Sequence, residues 1–283
     1  MYFKNADYFW ILLGMFFGLL SHLSRAYRWR FQLEPMGYHI KLPNSIMAVF
    51  ATYLINYTIP RAGEVARASI LTTYEGVPFE KGFGTIVAER VADLIVVFAI
   101  IVLTLFLQFD FIVSFLTKSF NPNSIVIGLL IFLMAALIFI LYIRKGTSGI
   151  ALKIKTFIRG LTEGVLSIFK MKKKWAFIFH TLFIWTMYVL MFYVTSFSVA
   201  ELDGIPFGAI LIGFISASFS IAATNGGIGS YPIAVYAAFS IFGIPEDPSI
   251  AFGWIVWTSQ TLVLVGLGGL SLLLLPIYNR VKE

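Results

Sequence analysis

The sequence predicts an all-α polytopic membrane protein made of about five full spans plus two broken helical hairpins. Of its 283 residues, 59% are hydrophobic and only 12% are charged, with a mean hydropathy of +0.88. Soluble domains carry about 25% charged residues. Several apolar runs also reach the roughly 20 residues that a membrane-spanning helix needs. We therefore predict a single transmembrane domain over residues 1–283.

Charge and cysteine content argue against disulfide-stabilised, thiolate-metal and nucleic-acid-binding proteins. The chain has no cysteine, which excludes disulfides and thiolate metal sites. The net charge of +7 indicates a bias of the loops toward the cytoplasm rather than a nucleic-acid surface. Lys and Arg concentrate at 25–41, 144–174 and 280–282, so these segments are predicted to be cytoplasmic. The polar loops 108–123, 200–206 and 244–249 are predicted to face outward.

The predicted full spans follow from the apolar runs. They are Tyr8–Tyr27, Phe83–Leu107, Ser124–Ile143, Trp175–Val199 and Ile250–Ile277. Between the third and fourth spans, residues 144–174 form a basic cytoplasmic linker with apolar residues at helical spacing, from Ile154 to Phe169. This pattern predicts an interfacial amphipathic helix that rests on anionic lipid.

An internal repeat is visible in the pattern, though not in the residue identities. The apolar regions 45–74 and 207–242 are each interrupted by a short polar break, and an offset of about 166 places Gly63 on Gly229. Repeat 1 covers about 1–107, the linking span and linker about 108–174, and repeat 2 about 175–283. Because the predicted loop sides place the two hairpins on opposite faces, the sequence predicts two inverted repeats, each with a re-entrant hairpin.

The break in the first hairpin carries charge. Arg61, Glu64 and Arg67 are spaced by three, so they share one helical face if a helix starts just after Pro60. A charge at bilayer depth costs several kcal/mol, so such residues are kept when they are paired, hydrated or functional.

The second predicted full span carries three more charges, Glu89, Arg90 and Asp93, which can line one side of a helix. Together with the first hairpin this gives three cations and three anions, which cancel. Two interpretations stay open. One is a structural salt-bridge network. The other is a polar cavity for a lipid headgroup, with Arg61 and Arg67 available to a phosphate and the carboxylates to a cation or a proton.

The second hairpin has a glycine-rich break. Asn225, Gly226, Gly227 and Gly229 precede a short helix, whose N-terminal N–H groups attract anions, although a tight turn or close packing explains the same residues. Gln260 interrupts the last span at a place near that of Asp93 in the first half, so it is a candidate for substrate binding or for a hydrogen bond to another helix. Arg25, Arg28 and Arg30 at the end of the first span are interpreted as boundary residues on the cytoplasmic side.

Four motifs in order resemble one family. They are Ser24–Arg30, Pro60–Arg67, Ala88–Asp93 and Asn225–Gly229. They resemble the flippase-like lysylphosphatidylglycerol synthase transmembrane family, over essentially the whole chain. The resemblance implies a multi-pass protein that moves or handles lipids in the bacterial inner membrane. Synthesis of a lysyl-lipid is not implied, because the soluble aminoacyl-transferase domain of the best-understood members is absent. Position 230, often acidic in that family, is serine here.

The expected function is therefore that of a lipid flippase. It would move a phospholipid or a lipid-linked anionic substrate between the leaflets. The alternative is a non-transporting accessory subunit of a cell-envelope or lipid-modification pathway. A membrane-embedded enzyme would need a nucleophile or a metal site, and neither is apparent in the sequence. We expect no cofactor, no metal and no nucleic-acid partner; a homo-oligomer or an envelope-biosynthesis partner stays open.

Overall fold

The computed structural model describes residues 2–119, 121–145 and 171–280, together with a few single residues between 146 and 170. The described residues contain no β-strand, and their α-helices are α1 Tyr2–Asn5, α2 Tyr8–Leu33, α3 Leu42–Thr58, α4 Ala62–Glu75, α5 Phe79–Leu107, α6 Phe109–Ser119, α7 Pro122–Lys145, α8 Lys174–Ser196, α9 Phe207–Ala223, α10 Ser230–Ser240 and α11 Glu246–Tyr278. Most of the predicted amphipathic linker lies outside the described residues.

Within the described ranges, four helices are long and apolar enough to cross a membrane. They are α2, which a 3₁₀ turn extends to Met36, together with α5, α8 and α11. The other predicted span, Ser124–Ile143, lies within the 24-residue helix α7. The prediction of an all-α polytopic membrane protein is thus confirmed, whereas the number of crossings beyond four stays a prediction.

Two predicted boundaries are wrong. The segment 108–123 was expected to be a loop, but most of it forms α6, and Phe111 of that helix stacks on Phe242 with ring centroids 4.4 Å apart. Burying such a ring favours an ordered helix over a solvated loop. Helix α5 begins at Phe79 rather than Phe83, because the carbonyl of Pro78 accepts hydrogen bonds from the N–H groups of Lys81 and Gly82.

The same order of helices occurs twice. Helices α2, α3, α4 and α5 are long, short, short and long, and so are α8, α9, α10 and α11. Helices α3 and α9 both have 17 residues. Helices α2 and α8 begin at Tyr8 and Lys174, which are 166 positions apart, the offset predicted from the sequence.

Helices α2 and α8 pack against each other along most of their lengths, and they run in opposite directions. Gly14 near the start of α2 lies against Thr195 at the end of α8, and a Cβ at Gly14 would overlap the Thr195 hydroxyl. Toward the other end, Ser24 Oγ lies 2.8 Å from Nδ1 of His180, near the start of α8. This one pair of equivalent helices, α2 and α8, is therefore antiparallel. Their orientation relative to a membrane stays a prediction.

The first hairpin, α3–α4, starts and ends at the same level. The Glu75 carboxylate at the end of α4 accepts a 2.6 Å hydrogen bond from Asn44 Nδ2 at the start of α3. Asn44 also exchanges hydrogen bonds with Asn279, beside the end of α11. At the far end of α3, the Tyr57 hydroxyl lies 3.1 Å from Oγ1 of Thr261. Thr261 is near the middle of α11, a helix about 50 Å long. The hairpin therefore reaches about half-way along α11.

The turn of the second hairpin, α9–α10, meets the turn of the first. Asn225 Nδ2 donates a 3.2 Å hydrogen bond to the carbonyl of Tyr57. Gly226 has φ +67°, and a Cβ there would lie 2.6 Å from Cε1 of Tyr57. The Gly226 carbonyl accepts a 2.7 Å hydrogen bond from Trp257 Nε1 of α11. The two hairpin turns are therefore packed against each other beside α11.

Candidate functional site

Glu89 is the centre of a buried ion network. Its side chain is fully buried on α5. Oε1 accepts a 2.7 Å hydrogen bond from Arg28 Nη2 of α2, and Oε2 accepts a 2.8 Å hydrogen bond from Arg67 Nη1 of α4. One carboxylate thus joins the first span, the first hairpin and α5.

Asp93 lies one turn further along α5 and extends the network to the second half. It accepts hydrogen bonds from Arg25 Nη1 at 2.6 Å and from Arg28 Nη1 at 3.1 Å. Arg28 Nη1 also donates to Thr181 Oγ1 of α8 at 2.7 Å, and its guanidinium lies over the ring of Phe177, 5.1 Å from the centroid. Arg28 is therefore held by α2, α5 and α8 together.

Arg67 is enclosed as tightly as the carboxylates. Its side chain is 1% exposed, and its Cζ lies 3.8 Å from the ring centroid of Trp29. Trp29 is fixed in turn, because its Nε1 donates a 2.7 Å hydrogen bond to Thr85 Oγ1 of α5. Cation–π stacking on a buried indole contributes about 2 kcal/mol when the pair is desolvated. Nε and Nη2 of Arg67 are buried without a hydrogen-bond partner among the described residues.

The five buried charges pair with one another, and none of their side chains is more than 7% exposed. Arg25, Arg28 and Arg67 face two carboxylates, Glu89 and Asp93, so one positive charge is left over. Removing one member of such a network costs about 3–5 kcal/mol, because its partner keeps an uncompensated buried charge. The structural interpretation of these residues is therefore well supported by their burial.

Arg90 differs from its neighbours on α5 because its side chain is 44% exposed. It lies 3.6 Å from Asp93 and 4.0 Å from Glu64, which is a loose pairing. Exposed apolar side chains flank it on the same helix, Val87 on one side and Leu94 on the other. Arg90 thus presents a charge on an otherwise apolar surface while it touches the edge of the buried network.

Arg61 is exposed at the turn of the first hairpin. Its φ of +62° is the one positive φ of a non-glycine residue in the described ranges. Helix α4 begins at Ala62, so Arg61 caps the helix instead of belonging to it. The prediction of one shared face is therefore wrong for Arg61. Glu64 is in the helix and half-buried, whereas Arg67 is fully buried.

The position of Gly63 explains why the first turn can be so tight. Its N–H donates a 2.8 Å hydrogen bond to Asn56 Oδ1 at the end of α3, and a Cβ at Gly63 would overlap the carbonyl oxygen of Thr52. Asn56 Nδ2 is also 3.5 Å from Oε2 of Glu64. The turn therefore holds Glu64 on the side that faces Arg90.

Sequence reasoning missed Arg25 and Arg28 as members of the site. It assigned them to the cytoplasmic boundary, but the structure turns both side chains inward against α5. The predicted cancellation of charge is also wrong. With these two residues the ion pairs join four arginines to three carboxylates, an excess of one positive charge, while Arg61 lies at the hairpin turn. The spacing of three between Arg25 and Arg28 was the available signal, since it matches paired carboxylates on a facing helix.

The other predicted site residues lie apart from the charges. Asn225, Gly226, Gly227 and Gly229 form the second hairpin turn, whose contacts are to Tyr57, Trp257 and Thr224. Gln260 packs against α2, where a Cβ at Gly18 would overlap its amide. These residues contact the opposite hairpin and the first span. In the described part of the chain no group of three His, Asp or Glu residues could hold a metal ion.

Comparison with known proteins gives one family. A family model described as the lysylphosphatidylglycerol synthase TM region matches residues 2–269, which include every residue of the site. The chain belongs to this family. The resemblance predicted from the four motifs is confirmed.

One relative of this chain is the UPF0104 membrane protein MJ1595 of the archaeon Methanocaldococcus jannaschii. It is 26% identical over 278 residues, which cover 87% of this chain and 78% of the relative. No solved structure matches the chain. The family is membrane-associated and linked to lipid handling, and its members are not confined to bacteria.

Proposed function

We propose that the protein moves an anionic lipid, either a phospholipid or a lipid-linked anionic substrate, between the leaflets of the membrane. The observation that carries this proposal is Arg90, a loosely paired and exposed arginine between apolar side chains of a membrane helix. An exposed charge in hydrocarbon is costly unless it meets a polar group. A lipid headgroup that enters sideways from the bilayer is such a group.

The charge balance favours an anion. The four arginines of the ion pairs exceed the three carboxylates by one, and Arg90 is the one among these four whose side chain is exposed. Arginine binds phosphate through two parallel hydrogen bonds. Glu64 would be displaced from Arg90 when a phosphate arrives, and Arg61 at the hairpin turn would supply the second cation. The acyl chains would stay in lipid along Val87 and Leu94.

The arrangement of the helices supports the transport interpretation. Hairpins that begin and end at one level and reach half-way along a long helix are the form that re-entrant hairpins take in transporters. The antiparallel packing of α2 and α8 is what inverted repeats require. We infer that the end with Lys41, Arg30 and Lys173 faces the cytoplasm, from the excess of Lys and Arg there. The membrane would then be the cytoplasmic membrane of a bacterium or archaeon.

A second candidate function is an accessory subunit without transport of its own. One observation favours it. The positions of the second half that correspond to Glu89 and Asp93 are Ile255 and Ser259, so the buried charges that the structure describes lie in one half of the molecule. A headgroup that crosses the whole bilayer would need polar contacts in both halves. The accessory function predicts binding of a lipid without transfer.

The two candidates are separated by the purified protein alone. Reconstituted in liposomes that contain a fluorescent phosphatidylglycerol in one leaflet, the wild-type chain should transfer the label faster than protein-free liposomes. The Arg61→Ala and Glu64→Gln variants should be slower if they remain folded. Transfer at the protein-free rate by a folded wild-type protein would exclude the flippase and leave the accessory subunit.

A further inference from the structure

A small pocket lies at the C-terminal end of α2, separate from the ion network. Its volume is about 90 Å³. It is formed where α2, the following 3₁₀ turn and the start of α8 meet, and its lining includes Tyr27, Arg30, Phe31, Glu34, Tyr38 and Lys173. A pocket of this size has room for a single phosphate group.

The pocket carries an uncompensated positive charge. Lys173 Nζ is 2.8 Å from Oε2 of Glu34, so these two charges neutralise each other. Arg30 makes no ion pair with any carboxylate that the structure describes, and its guanidinium lies 5.6 Å from the ring centroid of Tyr27. A half-buried arginine on an aromatic wall, next to a lysine already held in place, matches one phosphate anion.

The residues around the pocket indicate that it lies at the level of the lipid headgroups. Helix α8 begins immediately after Lys172 and Lys173, and Trp175 at its start is exposed. Basic residues followed by an exposed tryptophan are typical of the boundary between membrane and water on the cytoplasmic side. Basic pockets between helices at this level bind the headgroups of anionic lipids.

An apolar strip leads from the pocket toward the middle of the membrane. Tyr27 is exposed at the pocket, and its ring lies 5.1 Å from that of His180 on α8. The strip continues with Phe179, whose ring lies 5.4 Å from that of His180, and then with Leu182, and both side chains are exposed. A free phosphate would leave this strip uncovered, whereas an acyl chain would cover it.

We propose that this pocket binds the phosphate of an anionic glycerophospholipid of the cytoplasmic leaflet, which stays in place as a bound lipid. Arg30 supplies charge-assisted hydrogen bonds to the phosphate, and one acyl chain lies along Tyr27, Phe179 and Leu182. The proposal is independent of the transport function, because Arg90 lies on another helix and no pocket residue belongs to the ion network.

The test is native mass spectrometry of the full chain, carried out in an Arg90→Gln background so that lipid at the transport site does not contribute. Phosphatidylglycerol, phosphatidylcholine and glycerol phosphate are titrated in turn. We expect phosphatidylglycerol to bind more tightly than the other two. Arg30→Ala should weaken it about tenfold or more, since a hydrogen bond to a charged group is lost. Lys41→Ala removes the same charge at the same end of the molecule, outside the pocket, and should leave binding unchanged.

Three results would overturn the proposal. Equal binding of phosphatidylcholine would mean that the pocket does not select charge. Equal binding of glycerol phosphate would mean a site for a free anion without an acyl groove. Equal losses in Arg30→Ala and Lys41→Ala would mean a diffuse basic surface. None of these results depends on whether the protein transfers lipid.

Discussion

The two halves of the molecule share one helix order but are held together by different forces. With the offset of 166, the pairs of corresponding positions are Arg25 and Met191, Arg28 and Val194, Glu89 and Ile255, Arg90 and Val256, and Asp93 and Ser259. In the second half, Met191, Ile255 and Val256 belong to an apolar core. That core is centred on Phe192, Phe239 and Phe252, and the rings of Phe192 and Phe252 are 4.9 Å apart.

This difference indicates what the charges are for. The second half demonstrates that apolar and aromatic packing is enough to hold this set of four helices together. Buried ion networks are often no more stabilising than apolar residues of similar volume. The arginines and carboxylates of the first half are therefore not needed for the helix arrangement as such. We therefore interpret these charges through Arg90 and Glu64, the accessible pair at the edge of the network, and through Arg61 at the nearby hairpin turn.

The largest effect is expected when one charge is removed from the first half. Glu89→Gln leaves Arg67 buried without a carboxylate and leaves Arg28 with Asp93 alone, so the free energy of unfolding should fall by about 3–5 kcal/mol. Thermal unfolding in detergent measures this. The matched change in the second half, Ile255→Val, should cost about 0.5–1.5 kcal/mol. Equal losses for the two variants would mean that the network does not stabilise the first half.

A combined variant makes the first half resemble the second. Arg25→Met, Arg28→Val, Arg67→Met, Glu89→Ile and Asp93→Ser remove all five buried charges together. Because no charge is left unpaired, the variant should recover most of the stability that Glu89→Gln loses. Lipid transfer should nevertheless be lost in this variant, since Arg90 no longer has its ion pair with Asp93. If the combined variant had the same unfolding temperature as Glu89→Gln, the charges would be needed for stability. The two halves would then not be interchangeable in how they are packed.

Substitutions at the contact between the two hairpin turns should give the third-largest change in the free energy of unfolding. Gly226 and Gly229 both have positive φ, at 67° and 71°, but only a Cβ at Gly226 meets Tyr57. Gly229 has φ 71° and ψ −36°, outside the left-handed helical region, so Gly229→Ala should cost at least about 1–2 kcal/mol for the backbone conformation alone. Gly226→Ala should cost more, because the turns must separate. Thermal unfolding of the two variants in the same detergent compares them, and a smaller loss at Gly226 would contradict the contact.

The smallest effect concerns the strained residue at the first turn. Arg61→Gly removes the cost of a left-handed conformation and should raise the free energy of unfolding by about 1 kcal/mol. Lipid transfer should fall in the same variant if Arg61 contacts the phosphate. A variant that is more stable and also fully active would remove Arg61 from the proposed site while leaving the fold unchanged.

The sequence predicted the helices better than it predicted the site. The apolar run Phe207–Ala223 matches its helix at both ends, because Pro206 and the polar break after Ala223 define it. The repeat offset was also correct for the starts of α2 and α8. Hydropathy failed at 108–123, where a few polar residues hid the apolar side of α6.

The spacing of Arg25 and Arg28 was a signal of their burial, but their surroundings in the sequence favoured another interpretation. Three arginines at the end of an apolar run fit the cytoplasmic boundary, and only the packing of α2 against α5 shows that two of them face inward while Arg30 does not. Equally, Glu89 and Arg90 are adjacent in sequence, yet one is fully buried and the other is exposed. Which of two neighbouring charges is accessible depends on the helix face, and a single sequence does not determine which face meets another helix.

The most direct test of the account is the transfer of fluorescent phosphatidylglycerol across proteoliposomes that contain the Arg90→Gln variant. Lys4→Ala, which removes an exposed cation from α1, serves as the control. With both variants folded, we predict that transfer falls at least tenfold in Arg90→Gln and is unchanged in Lys4→Ala, a loss of about 1.4 kcal/mol or more. Transfer at the wild-type rate by Arg90→Gln would contradict the claim that the charges of the first half receive the lipid headgroup.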